Sequence, residues 1–560
     1  MEALAPVRKS VVYLRKPRQG YDEGGQAMRG FTRRSAIALA LVAALGVAAC
    51  GGDDDSSGGG GGSGSEVDKM VWAIQSPVQS MDPAIMADVP SLRAQTAAFD
   101  RVLSIDNNGV VQPWIASKFD TSDPLKMVLT IRDDVKFWDG TPMTVDDVVY
   151  SIARHVGPDS TSVNAFVFAA VTSVEATDAS TVTLTLSRPE PGLPAHLSVW
   201  AQVRQQKYDE AAGEAAGGPD KPGMGTGPYS IVSYSSADGV KLLRNDAYWA
   251  GKPKVKELEF KSISDPDTAR LALSSGEIDG FFDVPLIATR QWDQLENAAM
   301  TYVPGAYNDF LSMNVTRAPF DDVNARIAIG HLIDRAGLLG PLFNNRATVA
   351  QSVVPAIQMT GTFGDDGAKN MHEAIGALPE FSIDMAKEAL AKSATPDGFT
   401  IELAVDTSQP WMSPLAQHLA ENAKQVGITI DVKQVSAADW GAGLLDPAGS
   451  PLQLVALAAG TPWAGELPPV VFGTTAGFPL AGYGDDEVDA LVGSVATAAT
   501  VDALRQPLQD LLTKATADLP YLPLFDEQVA TAISNTFVWE GGYSYYALSQ
   551  AWPLQLGGAG

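Results

Sequence analysis

Cys50 is the one cysteine of the 560-residue chain, so thiol chemistry has a single place to occur. It closes an apolar run from Ala36 to Ala49, and the Gly/Ser/Asp stretch beyond it offers nothing to bury a sulfur, which favours modification of the thiol over packing. Imidazole chemistry is not organised for catalysis. His155, His196, His331, His372 and His418 are scattered, and no two form an H-x-x-x-H or H-E-x-x-H pair. No G-x-S-x-G elbow presents a serine. Gly223-Met224-Gly225-Thr226-Gly227 lacks the Lys-Ser/Thr ending of a phosphate cradle and runs straight into Pro228. Carboxylates abound, but 66 acidic residues make chance pairs inevitable, so spacing alone selects no glycosidase-like pair. The expectation is no catalytic residue, no metal site and no cofactor.

The residues around Cys50 have the layout of an export peptide. Arg33-Arg34 precede roughly 14 apolar or small residues, fewer than the ~20 needed to span a membrane. Val47-Ala48-Ala49-Cys50 resembles the bacterial lipobox, which implies that the thiol is acylated and that the mature protein is a lipoprotein on the outer face of the cell membrane. Thr32-Arg33-Arg34-Ser35-Ala36-Ile37 fits both a twin-arginine and an ordinary secretory signal, and since residues 1–27 make a poor n-region while Met28 opens a compact leader, a start at Met28 is favoured over Met1. Residues 51–65 are Gly, Ser and Asp almost throughout, a flexible leash of about 20 Å r.m.s. length.

With 39 basic and 66 acidic residues the net charge is −27, and the leader is basic, so the body is more acidic still. Phosphate binding needs clustered Lys and Arg, which argues against nucleic acid as a partner. No disulfide can form beyond Cys50, so stability must come from a core, for which 45% hydrophobic residues are ample.

From Glu66 the pattern alternates strands and helices without tandem repeats. Val255 to Ile263 alternates as a strand, Asp265-Pro266 caps a helix that Gly276 ends, and Ile278 to Val284 is a second apolar run. The same grammar returns with Ile401, Leu403 and Val405, then a helix from Ser413-Pro414 with Leu415, Leu419, Ala423 and Val426 on one face, then Ile428, Ile430 and Val432. These are two βαβ candidates. Thr144-Val145-Asp146-Asp147 is a capping-box pattern, and Pro507 predicts a break or kink in the late helix carrying Leu504, Leu508 and Leu511.

Phe137-Trp138-Asp139-Gly140-Thr141-Pro142-Met143-Thr144-Val145-Asp146-Asp147-Val148 resembles the signature of extracellular solute-binding protein family 5, the peptide-binding class of ABC importers. Further matches follow in order: Ser80-Met81-Asp82-Pro83, Gly225-Thr226-Gly227-Pro228-Tyr229, Arg244 to Trp249, Ser275 to Asp279, Asn314 to Arg326 with Asp334-Arg335, and Pro520 to Leu524. Most read first as scaffold. Asp139-Gly140 is a turn pair, Gly225 and Gly227 suit a tight crossing where glycine tolerates positive φ, and Arg326 with Asp334-Arg335 is placed on one helix making ion pairs.

The resemblance implies an α/β, two-lobed periplasmic-binding-protein-like fold of type II, in the large class with an extra inserted domain. Lobe I would combine 66–100, 225–310 and 530–560, domain II would be 101–224, and lobe III would be 311–529. It also implies a monomer that takes a small solute, a peptide by family habit, into a cleft closed by a hinge and delivers it to an ABC permease. The ligand contacts expected at strand ends facing that cleft are Phe282, Asp283, Tyr307, Asn308, Trp411 and Trp463. Ala456 to Trp463 lacks the carboxylate cluster with which peptide-binding relatives hold an amino terminus, so peptide specificity does not follow. The competing readings are a non-transport surface lipoprotein acting as sensor, adhesin or chaperone, and a hydrolase.

Overall fold

The computed structural model describes residues 64–560 except Ala87, Ser236, Leu445, Pro447 and Ala448. The leader, Cys50 and nearly all of the leash lie outside the described residues.

Strand β1 (Val67–Ile74) leads to helix α1 (Val89–Ala98). A four-stranded antiparallel sheet follows, made of β2 (Ala116–Asp120), β3 (Lys126–Ile131), β4 (Val171–Asp178) and β5 (Thr181–Leu186) in the order β2-β3-β5-β4. Helix α2 (Val145–Ala153) packs on it, opened by the expected capping box: Thr144 Oγ1 accepts from Asp147 N, and the Asp147 carboxylate accepts from Thr144 N. The apolar side chains of residues 102–203 gather in a core of their own around Leu129, Val148, Phe168 and Leu184.

The chain then returns to the sheet of β1. Strands β6 (Tyr229–Ser235), β7 (Gly239–Arg244) and β8 (Val255–Ser262) extend it on one side. Helix α3 (Pro266–Ser275) is capped by Asp265 and ended by Gly276 at φ 76°. It leads to β9, which is only Gly280–Phe281 rather than the longer run expected, because Asp283 turns left-handed at φ 57° and ends the extended backbone. Both strands of this βαβ unit lie parallel to β1, which sits between them.

Next come β10 (Ala298–Met313), helices α4 (Val323–Gly330) and α5 (Arg335–Phe343), β11 (Ala347–Val349) and α6 (Ala356–Ala374), two helices meeting at Gly364. The second βαβ unit is β12 (Thr400–Asp406), α7 (Met412–Lys424) and β13 (Thr429–Val435), its strands parallel and in register. Strand β14 (Leu452–Ala458), helix α8 (Val501–Asp518) and β15 (Tyr521–Ser534) complete the frame. Among the described residues the main sheet has nine strands, ordered β14-β10-β15-β9-β1-β8-β7-β6 with β11 paired to β15. The long antiparallel pair β10 and β15 thus runs from β9 at one end to β14 at the other. Its ladder shifts register between Pro304 and Asn308, and again between Asp309 and Phe310.

Three sequence expectations need correction. Of the break or kink expected at Pro507, the break does not occur: the residue lies inside a continuous α8, whose buried face of Leu504, Leu508, Leu511, Leu512 and Ala515 holds the helix together despite the lost hydrogen bond. Arg326 and Arg335 sit on different helices, and both donate to carbonyls instead of carboxylates: Arg326 to Asp518 and Phe320, Arg335 to Pro523 and Pro379. Gly225 and Gly227 are not left-handed. They are glycines because the backbone passes too close for a side chain: a Cβ would lie 2.5 Å from the Phe99 ring at Gly225 and 2.3 Å from the Ala98 carbonyl oxygen at Gly227.

The motif residues nearby serve the same crossing. Buried Asp100 accepts from Trp114 Nε1 at 2.9 Å, Tyr248 Oη at 2.5 Å, Thr226 Oγ1 at 2.9 Å and Trp249 Nε1 at 3.0 Å. One carboxylate thereby ties three distant segments together, and four donors satisfy it in an interior where an unpaired charge is costly.

Candidate functional site

A cavity of about 120 Å³ opens where β1 ends and α1 begins, lined by Ile74, Gln75, Val89, Pro90, Arg93, Asp283 and Tyr307. Asp88 caps α1, accepting from Ser91 N at 3.0 Å, and this sets the first turn so that Arg93 falls on its inner face. Arg93 is 3% exposed. Its Nη2 donates to both oxygens of Asp283, at 3.0 and 3.2 Å, and its Nε has no partner. The guanidinium lies 4.0 Å above the ring of Phe282, a cation–π contact, and Phe282 stacks in turn on Trp72 at 4.2 Å. Gln75 Nε2 donates to the Asp283 carbonyl at 2.5 Å and steadies its left-handed backbone.

Tyr307, on β10, forms the far side of the cavity and meets Tyr545 edge to face at 6.4 Å. Tyr545 Oη donates to the Ala459 carbonyl just after β14 at 2.9 Å, so the C-terminal segment reaches the loop beyond that strand. Tyr545, Trp200 and Ile357 all pack against a small cluster of Ile105, Ala195, Val199 and Tyr546. The Tyr545-Tyr546 pair is therefore where side chains from residues 102–203, the loop after β14 and the start of α6 converge. The loop itself is held by Glu466, which accepts from Gly460 N, Thr461 N and Oγ1, and Gln358 Nε2 at 2.6–3.0 Å. Burial raises the Glu466 carboxyl in spite of these donors.

Beside Tyr307 three carboxyl groups gather where β10 and β15 pair. Burial pushes Asp526 up to about 7, against hydrogen bonds from Asn308 and the Ala356 amide. Asp309 is fully buried and raised well above the usual range, by burial and then by the charge of Glu527. Glu527 is raised as well, by burial. The charge of Glu527 thus disfavours ionisation of Asp309.

The arrangement is built to bind. Tyr307 and Tyr543 stay protonated because burial raises both, and nothing around the cavity pairs a nucleophile with a base. Among the described residues no group of three or more His, Cys, Asp or Glu could hold a metal ion.

Of the six expected contacts, the structure brings Asp283 and Tyr307 to this cavity, with Phe282 immediately behind as a platform. Asn308 is adjacent but fully buried, strapping β10 to Ser352 and Asp526 through its Nδ2. Trp411 and Trp463 do not line the cavity. Trp411 precedes α7 and is 4% exposed in the core shared with Leu403 and Leu415. Trp463 is half-buried against the core cluster that holds Leu504 and Leu508. The sequence reading missed Arg93, Gln75 and Tyr545. Arg93 had one signal, an arginine within an Ala-rich helix whose neighbours are all suited to burial.

The fold is that of a two-lobed periplasmic binding protein. The ABC transporter substrate-binding protein CtaP of Listeria monocytogenes superposes with a TM-score of 0.76 at 20% identity, over 88% of this chain and 99% of that one. The oligopeptide-binding protein AppA of Bacillus subtilis, solved with a nonapeptide, gives 0.70 at 16% identity, over 89% and 100%. In sequence, a glutathione-binding protein of Pectobacterium atrosepticum is 25% identical over 479 residues, 83% of this chain and 90% of the relative.

The chain belongs to the bacterial extracellular solute-binding proteins, family 5, whose middle-region model matches residues 110–469. CtaP is named as an ABC transporter substrate-binding protein, and the Pectobacterium relative for binding glutathione. No helix among the described residues is long and apolar enough to cross a membrane.

Proposed function

We propose that this protein is the lipid-anchored, monomeric substrate-binding component of an ABC importer, which captures a small peptide-like solute and hands it to a membrane permease. The anchor is Cys50, at the end of a leash long enough to let the body dock on a permease in the same membrane. The capture site lies between a lobe of residues 66–100, 225–310 and 530–560 and a lobe of 311–529, with 101–224 as an added domain. The observation that carries this reading is the cavity of Arg93, Asp283 and Tyr307, whose lining residues all belong to the first of these lobes, with Tyr307 on β10, the strand that runs on into the second. It stands beside the antiparallel pair of β10 and β15 and holds charged and aromatic groups without a catalytic constellation. Relatives named for glutathione and oligopeptide binding support a peptide-like solute. The loop after β14 spends its one carboxylate, Glu466, on its own backbone and on Gln358, which speaks against its holding a peptide amino terminus.

Deleting the gene should abolish uptake of the solute that co-purifies with the protein, as identified by mass spectrometry, and calorimetry should show that solute binding one to one. Undiminished uptake in the deletion strain would point to a non-transport role.

A further inference from the structure

We infer that the cavity between α1 and β9 receives an α-amino-carboxylate head group, an ammonium and a carboxylate on one carbon, with Arg93 taking the carboxylate and Asp283 the ammonium. The inference rests on reading this cavity as part of the solute site.

The ion pair provides the first part of the argument. Arg93 is 3% exposed and lies against the Phe282 ring, while the Asp283 side chain keeps 29% of its surface open. A purely anionic ligand that displaced Asp283 from the guanidinium would leave that carboxylate without its partner. A purely cationic ligand would strip Arg93 of its counter-charge in a buried place, which is the costlier loss. A group bearing both charges on one carbon replaces each partner with an equivalent one, and neither protein charge is left alone.

Space is the second part. The cavity of about 120 Å³ has ample room for such a head group. Beyond it stand Tyr307 and then Tyr545, so the remainder of the solute would extend toward the loop after β14.

Backbone geometry is the third. Asp283 holds a left-handed φ of 57°, and its carbonyl is pinned by Gln75. Non-glycine residues held in this region cluster at ligand clamps because the surrounding structure fixes the side chain's direction. Here the effect is to aim a carboxylate into the cavity from the end of a two-residue strand.

The test is calorimetric titration of the full protein, after unfolding and refolding to strip bound solute, with a panel of free L-amino acids, γ-glutamyl peptides including glutathione, and α-linked di- and tripeptides. An α-linked peptide carries its ammonium and carboxylate at opposite ends, whereas the first two classes carry both on one carbon. The tightest binder is expected to come from those classes. N-acetylation or α-amidation should each weaken it about tenfold or more, and Asp283→Asn should weaken the parent compound while leaving the N-acetyl derivative unchanged. Because the blocked ligands are read on the unaltered protein, the outcome does not depend on how Arg93 or Asp283 variants fold. A tightest binder indifferent to both blocks, or one found only among α-linked peptides, would overturn the inference and leave the importer reading standing. Failure of all three classes to bind would overturn it too, and the reading of a peptide-like solute with it.

Discussion

Arg154, the residue that caps the end of α2, grips both oxygens of Asp82, Nη1 at 2.9 Å and Nη2 at 2.5 Å, and Asp82 has no exposed surface. The Ser80-Met81-Asp82-Pro83 phrase is therefore a clasp between the segment after β1 and the helix of the added sheet. Burial opposes ionisation of Asp82, but Arg204 and Arg154 outweigh it and hold the carboxyl below its usual range.

A carboxyl depressed in the folded state contributes stability at neutral pH that is lost as pH falls through its folded value. Arg154→Met should cost about 3–5 kcal/mol in urea unfolding at pH 7 by leaving a buried charge short of its partner. The cost should shrink on acidification as Asp82 takes up a proton. An equal cost at pH 7 and pH 4 would refute the clasp.

The acids beside Tyr307 act in the opposite sense. Asp526, Asp309 and Glu527 are raised above unfolded values of about 4, chiefly by burial. Their contribution is present at low pH and lost as pH rises through the folded values, which for Asp526 is about 7. Asp526→Asn keeps an acceptor for Asn308 and removes the titration. It should stabilise the protein by about 1–2 kcal/mol at pH 9 and change little at pH 5. A gain of the same size at both pH values would contradict this account.

Trp411 tests the line between site and core. Trp411→Ala should lower stability by about 3–5 kcal/mol through the cavity it leaves. Binding by the fraction that remains folded should be unaltered. Weakened binding at unchanged melting temperature would move Trp411 into the site.

Cys50 bears on the anchor. Metabolic labelling with a fatty-acid probe should mark the wild type and not Cys50→Ser, with the variant released or retained as precursor. Equal labelling of the two would remove the lipoprotein reading.

Local signals carried much of the fold. The Thr144 box, the Asp265 cap with Gly276, and both βαβ units were legible because caps and periodicity act within a few residues. What was not legible depends on partners far along the chain. That β1 sits between β8 and β9 is a tertiary fact. The α8 break expected at Pro507 was overridden by five buried side chains on one face. The site divides in the same way. Asp283 stands just past a strand end that pattern reading can reach and Tyr307 lies within the long β10, but Arg93 meets Asp283 across 190 positions and Tyr545 meets Ala459 across 86. Trp411 and Trp463 show the limit of reasoning from residue type, since a large indole serves packing as well as it serves a ligand.

Capture by lobe closure without chemical change is the central claim, and small-angle X-ray scattering with and without the co-purifying solute tests it most directly. The account predicts a smaller radius of gyration at saturation and, from the same sample, recovery of the solute intact. An unchanged radius at full occupancy, or a solute recovered as a reaction product, would contradict it.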